Sequence, residues 1–226
     1  MEIQPVAIFH SPFASKFGIP KQSGIIEELK GEIVFEPQYR NPDAIRGIEG
    51  FEYLWLIWQF SANKHAANSL MVRPPRLGGN EKVGVFASRS PFRPNGLGLS
   101  SVRIDYVEWE SHRGPVIHVL GADLMDGTPI YDIKPYVTYA DSHAEAQSGF
   151  VDERKWCKLK VVLSDNTKAR LLTQKGWTDE TIAQLQEVLA EDPRPQYQKD
   201  PQKVYGMPFA GLDIHFRVID DVVEVL

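Results

Sequence analysis

The sequence predicts a mainly β protein with some α: a single β-barrel over residues 1–140, followed by a small α+β domain over residues 150–226. Three observations predict it. Seven short runs of β-branched and aromatic residues, each bounded by Gly, Pro, Asn or Asp, fill the first 140 residues, and many short strands with irregular loops favour a barrel or closed sheet. Asp141 to Gly149 (DSHAEAQSG) is small, polar and rich in Ala and Ser, the composition of a linker. Beyond it the pattern changes to helical spacing and then back to alternation.

In chain order, strands are expected at Ile3 to His10, Ile33 to Phe35, Glu52 to Phe60, Val83 to Ala87, Leu99 to Glu108, Val116 to Ala122 and Ile130 to Tyr136. No GxGxxG follows a strand and opens a helix, so a dinucleotide-type fold lacks support. The second domain should begin with a strand from Trp156 to Leu163, with Cys157 in its core, and continue with a helix from Asp165 to Lys175. A second helix runs from Thr178 to Ala190. Asp179 and Glu180 suit its positive start, and Ile182, Leu185, Val188 and Leu189 form one apolar stripe. The tail from Val204 to Leu226 alternates as a β-meander.

Composition narrows the function classes. A hydrophobic share of 42% with 24% charged residues is ordinary for a soluble globular protein. The longest apolar run, Phe51 to Phe60, contains Glu52 and Gln59 and is too short for a membrane helix, and no basic start precedes a long apolar stretch, so a cytoplasmic protein is expected. A lone Cys157 excludes an intrachain disulfide. The net charge of −5 argues against indiscriminate nucleic-acid binding, yet Lys64 to Arg103 holds seven Lys or Arg against one acid. A local basic field on an acidic protein suits a polyanion bound at one face.

The chemistry concentrates in stiff polar segments. In Gly84 to Ser100 (GVFASRSPFRPNGLGLS), Pro91 and Pro94 fix their own φ and push Ser90 and Arg93 toward extended backbone, so Arg89 and Arg93 are presented from a preset loop. Fixed guanidinium forks suit a carboxylate or phosphate. Arg73 to Gly79 (RPPRLGG) again locks Arg to Pro, and His10 to Gly24 places Pro20, Lys21 and Gln22 between small turn formers. Asp126 to Pro129 (DGTP) forms a tight turn of the kind that also connects hairpins, and Asp132, Lys134 and Tyr136 share one face of the strand after it. Asp192 to Tyr197 (DPRPQY) adds Arg194 and an aromatic, Tyr197, that could stack on a base. The six histidines show no HxH or HxxxH spacing, so no metal site is indicated.

Through PKQ, RPPRLGG, GVFASRSPFRPNGLGLS, DGTPIYDIKPY and DPRPQY, the chain closely resembles the TsaA-like family, the TrmO-type tRNA adenine-N6 methyltransferases, over nearly its whole length. The resemblance implies a β-barrel that binds S-adenosylmethionine outside the common methyltransferase fold, as a homodimer, and methylates N6-threonylcarbamoyladenosine beside the anticodon of a threonine tRNA. It assigns cofactor binding to Pro20, Lys21, Gln22, Arg89, Leu99, Asp126, Gly127, Thr128 and Pro129. Where the family commonly has a His after the long apolar strand, Ser61 and Ala62 stand here and take that place in the cofactor site. Gly96 and Leu97 replace the Pro or Ala and the Ile that usually follow RPN. The tRNA contacts expected are Arg73, Arg76, Arg93, Arg194 and Tyr197.

Methyl transfer from a sulfonium to an exocyclic nitrogen is an in-line displacement that removes a positive charge, so positioning dominates. The nitrogen's proton must still leave, and Asp126 and Asp132 are the candidate catalytic acceptors. A reading from another class is a non-catalytic S-adenosylmethionine sensor, which would not need the basic stretch or DPRPQY.

Overall fold

The computed structural model describes residues 2–63, 69–74, 77, 81–153, 157–195 and 200–226. The first eight strands are β1 (Ala7–His10), β2 (Lys30–Phe35), β3 (Tyr53–Gln59), β4 (Met71–Val72), β5 (Val83–Gly84), β6 (Leu97–Glu108), β7 (Val116–Leu120) and β8 (Thr128–Pro135). Six of them close into a ring in the order β1-β2-β7-β6-β3-β8, every neighbour antiparallel, which removes the sheet edges. β4 and β5 form a separate two-stranded ribbon. Residues of β3 alternate: Leu54, Leu56 and Trp58 point into the core while Trp55, Ile57 and Gln59 are only partly covered. Phe9, Ile33, Leu54, Leu56, Ile117, Leu124 and Ile130 fill the ring. Each such side chain contributes about 1.5–3 kcal/mol of burial.

A short helix α1 (Thr138–Asp141) leads into the exposed residues 142–149. The second unit then has β9 (Lys160–Val162), α2 (Asp165–Leu172), α3 (Asp179–Ala190), β10 (Tyr205–Phe209), β11 (Leu212–Ile219) and β12 (Val222–Val225). The tail is the expected meander, and β9 adds to it in parallel beside β12. The Thr178 hydroxyl caps α3 by accepting from Thr181 N–H at 3.2 Å, and Ile182, Leu185, Val188 and Leu189 are buried against Met207, Phe209, Ile214 and Phe216.

Several expected elements are corrected. The first strand begins only at Ala7. The run from Val83 breaks after Gly84 into a 3₁₀ turn, Val85–Ala87, whose backbone bends toward the arginine loop. Cys157 is exposed and precedes β9 rather than lying in a strand core. The Asp126–Gly127 turn does not join a hairpin: β7 and β8 are not neighbours in the ring, so the chain crosses its end there. The second core is not confined to residues after 150. It takes in Phe13, Ile26 and Leu29, with Phe13 edge-on to Phe209 at 5.5 Å and Phe17 stacked on Phe216 at 6.4 Å. Ala210 N–H to Pro12 O (2.9 Å), Gln184 Nε2 to Glu28 O (2.8 Å) and Lys30 Nζ to Glu180 (2.8 Å) complete the join. Residues 12 to 30 therefore run between ring and second unit, and the loop holding Pro20, Lys21 and Gln22 is anchored at both ends.

Candidate functional site

A cavity of about 540 Å³ opens where that loop meets the end of β3, the start of β6 and the arginine loop. The arginine loop is stiffened by its own hydrogen bonds as well as by its prolines. Ser88 Oγ accepts from Ser90 N–H at 3.3 Å, Ser90 Oγ accepts from Phe92 N–H at 3.2 Å, and Arg93 Nη1 donates to Ser88 O at 3.1 Å. Gly96, at φ 58, closes the loop, with its carbonyl accepting from Phe60 N–H at 2.8 Å. Gly98 has a different task. It pairs with Trp58 across the sheet, and a Cβ there would collide with the indole ring, so glycine is what lets Trp58 lie over β6.

Arg89 reaches across the cavity mouth and donates from Nη1 to Gln22 Oε1 at 2.6 Å, while Lys16 Nζ donates to Ala62 O at 3.2 Å and Asn63 Oδ1 at 2.9 Å. These guanidinium and ammonium contacts are to neutral oxygens, so their charge remains available to an anion. Trp55, Ile57, Trp58, Phe60, Leu97, Leu99 and Met125 supply the apolar wall. Asp123 is the one acid among the described residues lining the cavity. Ser100 Oγ donates to its Oδ1 at 2.5 Å, and Ser100 in turn accepts from Trp58 Nε1 at 3.0 Å. Burial pushes the Asp123 carboxyl up. The Ser100 bond, its own backbone N–H, the Arg89 charge and the Ser23 backbone N–H pull it part of the way back.

Of the residues expected from sequence, Pro20, Lys21, Gln22, Ser61, Ala62, Arg89, Leu99 and Thr128 line this cavity. Asp126, Gly127 and Pro129 do not: Asp126 accepts from Ser11 N–H at 3.3 Å and pairs with His10 Nδ1 at 3.0 Å, and Gly127 N–H donates to Phe9 O. Asp132, across from Ile57 on β8, also stays outside, its carboxylate held by Lys134 at 2.9 Å. Neither candidate proton acceptor is brought to the cavity. Arg93 lines it, with its guanidinium turned into its own loop. Arg73 is exposed. Arg194 is not displayed: it forms a two-point pair with Asp192 at 2.8 and 3.0 Å, and its side chain is 9% exposed. Arg76 and Tyr197 lie outside the described residues. Sequence reasoning passed over Lys16, Trp55, Trp58, Phe60 and Asp123. Among the described residues no group of three or more His, Cys, Asp or Glu could hold a metal ion, and no helix is long and apolar enough to cross a membrane.

Residues 8–142 match the family described as the tRNA-methyltransferase O N-terminal domain, and residues 157–226 match the TrmO C-terminal domain. The chain is 36% identical over 227 aligned residues to the tRNA (adenine(37)-N6)-methyltransferase of Escherichia coli (strain K12), covering 99% of this chain and 96% of that one. With equal coverage it is 37% identical to a Pseudomonas aeruginosa protein named, provisionally, an S-adenosylmethionine-dependent methyltransferase. A crystal structure of TrmO from P. aeruginosa superposes with a TM-score of 0.80 at 30% identity, over 100% of this chain and 96% of that one.

Proposed function

The chain belongs to the TrmO family, and from that premise we propose that it is an S-adenosylmethionine-dependent tRNA (adenine37-N6)-methyltransferase whose site is the cavity beside β3. The observation that carries the assignment of the site is convergence. The Pro20–Gln22 loop, the Arg89–Leu99 segment and Thr128 come from three separate stretches of chain and meet around one volume. That volume lies within the roughly 300–1,000 Å³ of small-molecule sites. Its chemistry fits the cofactor: Arg89 suits the amino-acid carboxylate, Trp55 and Phe60 offer aromatic faces to the adenine, and Asp123 suits a cation. When bound, S-adenosylmethionine supplies an electrophilic methyl group on a sulfonium. The protein's own contribution is orientation by a preset arginine loop and by a cofactor loop whose two ends are both anchored in the second core.

The finer reading is that the acceptor is N6-threonylcarbamoyladenosine in a threonine tRNA, its threonyl carboxylate meeting the basic side of the cavity, and that the enzyme works as a homodimer. Support for the dimer is the exposure of Phe86 (76%), Phe92 and Leu99 on and beside the arginine loop, apolar surface that a second copy would cover. Sedimentation should find a dimer at assay concentration, and a fully active monomer would end that part of the proposal. The function itself is tested by mass spectrometry of nucleosides from tRNA incubated with protein and cofactor. Gain of one methyl on the hypermodified adenosine is expected. Cofactor binding with tRNA left unmodified would replace the enzyme by a sensor.

A further inference from the structure

We propose that the Asp123 carboxylate is the countercharge that lets this cavity prefer a cationic ligand, so that it separates S-adenosylmethionine from its demethylated product, S-adenosylhomocysteine. The inference rests on the cofactor reading above. The two ligands differ by a methyl group and by one positive charge on sulfur. Against that difference the described lining sets Lys16, Lys21, Arg89 and Arg93, and one acid, Asp123. Cations alone would favour the ligand with less positive charge, which is the product, and hold the enzyme in its spent form.

Asp123 is built to counter them. Its carboxyl is fixed by Ser100 Oγ at 2.5 Å, and Ser100 is itself fixed by Trp58 Nε1 at 3.0 Å. A carboxylate held this way cannot swing into solvent to be screened. In a partly dry cavity a fixed charge acts more strongly than the same charge in water. Asp126 and Asp132 cannot substitute, since both lie outside the lining with their oxygens engaged elsewhere.

The test is calorimetric titration of the full chain with each ligand above neutral pH, comparing wild type with Asp123→Asn and Asp123→Glu. The ratio of the product's Kd to the cofactor's should fall roughly tenfold in Asp123→Asn, equivalent to about 1.4 kcal/mol, and be retained in Asp123→Glu. Should Asp123→Asn not fold, Asp123→Ser removes the same charge with a smaller side chain and must show the same fall. An unchanged ratio, with both ligands weakened alike, overturns the proposal and leaves Asp123 a purely structural residue. Wild-type protein that binds neither ligand overturns the cofactor reading, and this inference with it.

Discussion

Two cavities of nearly equal size lie on the ring, and they differ in what their charges are doing. The second, about 570 Å³, is lined by His10, Lys30, Gly31, Glu32, Asp105, Tyr106, Arg113 and His118 among others. Apart from Asp105, its ionisable groups are engaged with one another or with close neighbours: Arg113 with Glu32 at 2.8 Å, His118 with Glu108 at 3.3 Å, Lys30 with Glu180 at 2.8 Å and His10 with Asp126 at 3.0 Å. Tyr106 stacks flat on His118 at 4.1 Å and occupies that ring as well. In the first cavity Lys16, Arg89 and Arg93 touch neutral oxygens, and Asp123 is the one acid among the described lining residues. Size does not separate a site from a dent in the surface. Charge left over after the protein has satisfied itself does.

The largest expected effect tests that contrast directly. Arg89→Ala should weaken cofactor binding by about 1.5–3 kcal/mol, the worth of a hydrogen bond to a charged group, which is roughly 10- to 150-fold in Kd. Arg113→Ala, in the second cavity, should leave the Kd unchanged. Calorimetry that found both variants equally impaired would join the two cavities into one site.

A pair of glycines sharpens it further. Gly98 lies against Trp58 in the first cavity and Gly31 against Phe9 at the second, and at each a Cβ would collide with the aromatic ring. Either Gly→Ala change should lower stability by about 1–3 kcal/mol, the usual cost of overpacking. Only Gly98→Ala should also impair cofactor binding, because the ring it displaces is cavity wall and holds Ser100. Denaturation midpoints together with calorimetry on the two variants read both effects.

How much of this was legible in the sequence depends on the range over which the meaning of a residue is set. The closed sheet, both helices of the second unit and the arginine loop rest on local signals, namely alternation, a cap and paired prolines, and these the chain carries openly. Asp123 could not be read. Its role comes from Ser100, 23 residues away, and from Trp58, 42 residues before Ser100, which only the closing of the ring brings together. The same holds for Phe13, whose core lies almost two hundred residues on, at Phe209. Arg194 is the opposite case: its partner Asp192 is two residues back, with its backbone at φ 49, and an Asp-Pro-Arg turn is a local signal that points inward rather than to a phosphate.

That difference between arginines gives a smaller effect to measure. Arg73 is exposed and Arg194 is engaged by Asp192. If Arg73 meets a tRNA phosphate, Arg73→Ala should flatten the salt dependence of binding by about one unit of slope, whereas Arg194→Ala should lower the unfolding temperature and leave the slope alone. Filter binding across a salt series distinguishes them, and a slope change in Arg194→Ala would mean that the pair with Asp192 opens on tRNA.

The smallest effect expected is one of pH: both raised groups lose stabilisation as pH rises, but removing them should shift stability in opposite directions. Burial raises the Asp123 carboxyl, so between the ordinary Asp value and that raised one the folded state binds more proton than the unfolded state. Stability contributed by this group is therefore lost as pH rises through that window, and Asp123→Asn should be more stable than wild type above it, with the advantage shrinking toward acid. Lys30 beside the second cavity is raised chiefly by its hydrogen bond to Glu180. Its stabilisation is present below the unfolded lysine value and lost only as pH climbs through the folded one, so Lys30→Met should be the less stable protein at neutral pH and approach wild type in strong alkali. Lys30 is more than half exposed, and solvent screening keeps its share small. Denaturant midpoints across pH for the two variants check both signs. A stability difference for Asp123→Asn that did not vary with pH would mean that the carboxyl titrates as it would in water, and the cavity would then lack the dry, fixed acid that its preference for a cation requires.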